Sequence, residues 1–133
     1  MMTKFTISAY ILIFIAFLSC TKAPMNGDLD GQWAVVDVNP APQEFIVDQP
    51  LFYNFYMHVC QLSYYGGYFS DAEMIYDDNS MYLYFPYATA PDDIKMLKQY
   101  GILTNPVEFH VEYKNKNHLI LSNSESTITL KKI

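Results

Sequence analysis

Nine tyrosines lie between Tyr53 and Tyr87, a density unmatched elsewhere in this 133-residue chain. A tyrosine ring can line an apolar cavity while its hydroxyl meets a ligand, or it can stack on the face of a sugar. The same side chain is an ordinary strand former whose ring fills barrel interiors and covers sheet faces, and that structural use accounts for most of the excess. The residues expected around a ligand are Trp33, Tyr53, Phe55, Tyr64, Tyr68, Tyr82 and Tyr84.

Other groups offer weaker chemistry. His110 alternates with Glu108 and Glu112 onto one polar strand face, but side chains two apart on a strand spread along the sheet. None of His58, His110 and His118 has a second ligand group at metal spacing, so a solvated face is expected and no metal or other cofactor. The acid pairs Asp77-Asp78 and Asp92-Asp93 fall in a turn and in the opening turn of a helix, where carboxylates have local reasons to be. Cys60 stands among apolar and aromatic neighbours and reads as a small buried hydrophobe. No Gly-x-Ser-x-Gly, phosphate-cradling loop or Cys-His pairing occurs, and an enzyme is not expected. All eight basic residues are lysines against 14 acids, which argues against a nucleic-acid partner.

Cys20 carries the clearest signal. Met1 to Lys4 form a short charged start, and Phe5 to Leu18 an apolar run broken only by Thr6 and Ser8. That run suits a signal peptide and falls short of the roughly 20 residues of a spanning helix. Phe17-Leu18-Ser19-Cys20 resembles a lipobox, with Phe17 where leucine is usual. An uncleaved anchor helix, or ordinary cleavage leaving a free thiol, are the alternatives. The expectation is residues 1–19 as a lipoprotein signal peptide, 20–30 as a lipidated cysteine and tether, and 31–133 as one domain. Such a chain would sit in the cell envelope on the outer membrane, with the periplasmic face favoured because no acid follows Cys20 before Asp28.

The elements that must position these residues are strands. From Gly31 onward, stretches rich in Tyr, Phe, Val and Ile are punctuated by turn residues about every eight to twelve positions, the rhythm of antiparallel β structure. Gln32 to Asn39 reads as a first strand, Phe45 to Val47 as a short edge segment, and Leu51 to Tyr65 as one bent strand or two. Tyr68 to Tyr76 and Met81 to Phe85 read as a hairpin. Pro91-Asp92-Asp93 through Gly101 predicts the one helix, about residues 91–100, with Pro at its start, acids at its positive end and glycine at its close. Its packing residues are expected to be Ile94 and Leu97 with Met96 or Tyr100. Val107 to Tyr113, Leu119 to Leu121 and Ile128 to Leu130 alternate as a three-strand meander. The sum is all-β, an antiparallel barrel of about eight strands with a short helix before the last three, although a two-sheet sandwich gives nearly the same pattern.

Gly31-Gln32-Trp33 at the head of the first strand resembles the Gly-x-Trp opening of lipocalins. The fuller resemblance is to the lipocalin-like lipoproteins of Bacteroides-type bacteria. It rests on Asp30-Gly31-Gln32-Trp33, Tyr100-Gly101-Ile102, Asn105-Pro106-Val107-Glu108-Phe109-His110-Val111-Glu112 and Ile128-Thr129-Leu130-Lys131-Lys132-Ile133. It covers Asp28 to the C-terminus, implies a calycin-like barrel and carries over no catalytic or binding residue. Two functions follow as expectations. One is a lipid-tethered barrel holding a small apolar or amphipathic molecule, with Trp33 at the closed end. The other is an envelope interaction protein, an inhibitor, adaptor or complex subunit, for which the barrel is a scaffold.

Overall fold

The computed structural model describes residues 25–133; the leader, Cys20 and the start of the tether lie outside the described residues. A 3-10 turn, Gly27–Leu29, precedes β1 (Gly31–Asn39), β2 (Leu51–Tyr56), β3 (Val59–Tyr64), β4 (Gly67–Asp77) and β5 (Ser80–Tyr84). Helix α1 (Pro91–Gln99) follows, and β6 (Val107–Asn115), β7 (His118–Ser122) and β8 (Thr127–Lys132) end the chain. Each strand pairs antiparallel with the next, and β1 pairs with β8 from Trp33↔Lys132 to Asn39↔Thr127, closing an eight-stranded barrel. The barrel reading holds over the sandwich, and the helix falls where the Pro-acid-acid signal puts it.

Closure follows from the alternation. Along β5, Met81 and Leu83 are buried while Ser80, Tyr82 and Tyr84 face out. Along β6, Val107, Phe109 and Val111 are buried while Glu108, His110 and Glu112 face out. A one-residue slip of either strand would turn its apolar set to water, so the pattern pins the register.

The stretch Leu51 to Tyr65 resolves into two strands, paired from Leu51↔Tyr64 to Tyr56↔Val59. Their turn is Met57-His58, with Met57 at φ 52, a left-handed conformation that a methionine seldom adopts and that no turn residue announces. Phe45 to Val47 is not a strand; it is irregular chain held by a side chain of α1.

Proline at the first position and two acids in the first turn start α1. Ala90 has no side chain to cap with, so only half of a capping box forms, the Ala90 N–H donating to Asp93 Oδ2 at 3.1 Å. Gly101, at φ 82, ends it: its N–H donates to the Lys98 carbonyl and the Ile102 N–H to the Leu97 carbonyl, a Schellman closure. A side chain at 101 would also put a Cβ 2.5 Å from Ile128 Cγ1. The buried stripe is Met96, Leu97, Gln99 and Tyr100, while Ile94, expected inside, is 46% exposed. Ile94 lies on the flank of so short a helix that meets solvent.

The two barrel ends are closed by different devices. At the end of the β2–β3 turn, Leu29 is fully buried and its carbonyl accepts the Trp33 indole N–H at 2.8 Å. Asn26 Nδ2 donates to the Met57 carbonyl, and Lys132 Nζ sits 5.3 Å above the Trp33 ring while donating to the Asp28 carbonyl. At the other end lie α1 and the long β1–β2 connection.

Candidate functional site

The barrel interior is occupied by its own side chains. Trp33, Tyr53, Phe55, Cys60, Leu62, Met81, Leu83 and Tyr100 are each no more than 1% exposed. Tyr100, at the end of α1, reaches down into the mouth. Its ring meets Tyr53 edge-on at 5.7 Å and stacks on Phe69 at 6.0 Å. Its hydroxyl donates to the Ser63 carbonyl, and its own carbonyl accepts the Tyr53 hydroxyl. Burial above all, then the nearby acidic groups, pushes the Tyr53, Cys60 and Tyr100 pKa values well up. These groups are neutral packing elements; Cys60 is a buried thiol raised first by burial and then by Asp71, the reverse of a poised nucleophile.

The expected ligand residues divide accordingly. Trp33, Tyr53 and Phe55 point inward and form the core. Tyr64 stands at the rim, its ring lying over the backbone of Gly67 so closely that a Cβ there would come within 2.4 Å of it. Tyr68, Tyr82 and Tyr84 do not join them: they are 54%, 38% and 38% exposed on the outer surface. The reason is the two-residue period of a strand, which sends Tyr82 and Tyr84 outward because Met81 and Leu83 go in. Tyr68 goes out through a bulge, where Ser63 opposes Tyr68 and Leu62 opposes Ser70, leaving Phe69 as the extra residue directed at Tyr100.

The concave surface lies outside the core, against α1. A cleft of about 550 Å³ runs between the β1–β2 connection and the helix, lined by Pro40, Ala41, Pro42, Gln43, Glu44, Lys95, Lys98 and Leu103. Its size falls within the range of small-molecule sites. The sequence did not point to it. Its walls come from segments some fifty residues apart, and lysines three apart on a short helix read as a solvated face.

One side chain anchors the loop that forms a wall of this cleft. Gln99, 2% exposed, accepts the Ile46 and Val47 N–H groups on Oε1 at 2.8 and 3.1 Å and donates Nε2 to the Val47 carbonyl at 2.8 Å. A single amide thus takes the place of a strand partner for a loop that has none, and anchors the chain just past the cleft wall that ends at Glu44. Gln99→Leu keeps the volume but removes all three bonds. It is expected to lower stability by about 1–3 kcal/mol, the usual cost of stranding buried backbone groups. Amide exchange at Ile46 and Val47 should accelerate far more than at the strands, as seen by hydrogen-exchange NMR.

A second, shallower hollow of about 370 Å³ lies on the outer face of β5–β7, lined by Asp78, Asn79, Ser80, Glu108, Phe109, His110, Ser122 and Asn123. Ser80 Oγ donates to Glu108 Oε1 at 3.0 Å. Among the described residues no three His, Cys, Asp or Glu side chains converge to hold a metal ion.

Comparison with known proteins places this geometry. The family described as a lipocalin-like domain matches residues 13–133. A lipocalin-like protein from Bacteroides uniformis superposes with a TM-score of 0.57 at 20% identity, covering 80% of this chain and 100% of its own. An uncharacterized protein from Bacteroides eggerthii superposes with a TM-score of 0.53 at 14% identity, covering 78% of this chain and 98% of its own. No curated protein matches the sequence.

Proposed function

The chain belongs to the lipocalin-like domain family, and from that premise we propose that it is a lipid-anchored binding protein of the cell envelope. It is held on the periplasmic face of the outer membrane through Cys20 and takes a small amphipathic molecule at the mouth of its barrel. The lipobox-like run before Cys20 supports the anchor, and the acid-free stretch after it supports the periplasmic face. The observation that carries the binding role is the cleft of about 550 Å³ beside α1, its wall held in place by Gln99 before any ligand arrives. A preformed wall spares the ligand the cost of ordering a loop. The filled interior moves the site from the barrel axis to the rim, so Lys95, Lys98, Leu103 and the Pro40–Glu44 segment replace the inward tyrosines as contact residues.

One observation favours a second reading, in which the barrel is a scaffold for a protein partner. Tyr56, Tyr65, Tyr68, Ile75, Tyr82 and Tyr84 are exposed, and β4 and β5 bring Ile75 opposite Tyr82 on the outer face. Such side chains are enriched where proteins meet. Native mass spectrometry of the chain from Thr21 onward, exported in a Bacteroides host and purified gently, separates the two. A reproducible extra mass that leaves on denaturation is the expected result. A bare polypeptide mass together with a stoichiometric envelope protein would replace the first reading with the second.

A further inference from the structure

We propose that the mouth cleft selects an amphipathic anion, its acidic group on Lys98 and its apolar body against Pro40, Pro42 and Leu103; this deepens the reading of the cleft as the ligand site. The chain carries 14 acids against eight lysines, so its overall field repels anions. Two of those few lysines nevertheless share one wall of one cleft, three residues apart on α1. Lys95 is balanced across the cleft by Glu44 at 3.2 Å, with side chains 48% and 67% exposed. A pair so open to water is weak. Lys98 forms no ion pair among the described residues.

Its place in the last turn of α1 complements the helix dipole, which explains a cation there but not the apolar surface facing it. The β1–β2 wall offers Pro40 and Pro42, which have no backbone N–H to donate, with Ala41 between them, and Leu103 adds to the apolar lining. Of the hydrogen-bonding side chains in the lining, Glu44 and Lys95 already engage each other, which leaves a neutral sugar Gln43 and Lys98 alone. A cation would meet two lysines and one already engaged carboxylate. An apolar body ending in a carboxylate, sulfate or sulfonate satisfies both walls.

Two dyes with nearly the same aromatic body test this: 8-anilinonaphthalene-1-sulfonate, an anion, and N-phenyl-1-naphthylamine, its neutral counterpart. Residues 25–133 contain every strand of the closed barrel together with its core, so the soluble chain from Thr21 is the folded unit to titrate. Lys98→Gln is expected to weaken the sulfonate dye about tenfold, as loss of a charge-assisted contact does, and to leave the neutral dye unchanged. Added salt should weaken the first dye alone. Ala41→Trp, at an exposed loop position whose change should spare the fold, is expected to fill the cleft and displace both. Sulfonate binding indifferent to Lys98→Gln, with the neutral dye still displaced by Ala41→Trp, would overturn the anion preference and leave the cleft as the site. Failure of both dyes to bind, or binding that ignores Ala41→Trp, would overturn both.

Discussion

Tyr100→Ala is expected to remove about 3–5 kcal/mol of stability, the range for deleting a fully buried aromatic ring. For a domain whose whole stability is on the order of 5–15 kcal/mol, that brings the fold near its limit. The size follows from position. The ring is fully buried between Tyr53 and Phe69, and its hydroxyl satisfies the Ser63 carbonyl. Helix α1 is nine residues long and too short to persist by itself, so this anchor with Met96 and Leu97 is what keeps it at the mouth. Tyr100→Phe separates the two contributions. It keeps the ring and should cost only about 1–3 kcal/mol, the penalty for an orphaned carbonyl. Urea unfolding measures both, with equal m-values confirming that the midpoint shift reports stability. Near-equal loss in the two variants would mean that the hydroxyl, not the ring, fastens the helix.

The same tyrosine shows where the sequence is legible and where it stops. Strand number, the β6–β8 meander and the span of α1 can be read because each rests on a local signal: alternation, a turn cluster, or proline and acids before glycine. The division of the tyrosines was also within reach, since Met81-Tyr82-Leu83-Tyr84-Phe85 alternates and only one parity can face the core. Aromatic density by itself does not distinguish the two faces of a strand. The turn at Met57-His58 has no such signal; its backbone conformation is imposed by pairing of the flanking strands. Gln99 reads as a surface residue of a helix end, and its role depends on a loop fifty positions earlier. The cleft was illegible for the same reason: Lys95 and Lys98 acquire meaning only when Pro40 to Glu44 are brought opposite them.

Alkali is expected to unfold this domain through the groups that fill the barrel. Tyr53, Cys60 and Tyr100 are fully buried, and burial raises the pKa of each above its value in the unfolded chain. The native state therefore holds protons that the unfolded state gives up. Each group's contribution is complete below its unfolded pKa and is lost as pH rises toward the folded one. Cys60 begins the loss at about pH 8.5, near 1.4 kcal/mol per pH unit, and the two tyrosines join at about pH 10 with the same slope each. Above about pH 10 all three losses act together, in a domain whose total stability is on the order of 5–15 kcal/mol. Absorbance at 295 nm should show the exposed tyrosines ionising over the ordinary range and the buried pair only together with the loss of far-ultraviolet circular dichroism. Cys60→Ala isolates the thiol: its stability, whatever its absolute value, should stay flat between pH 8.5 and 10, where the parent falls. A parent curve equally flat over that interval would show that the thiol ionises in the folded barrel, and would place water beside Cys60 in a core otherwise closed by rings.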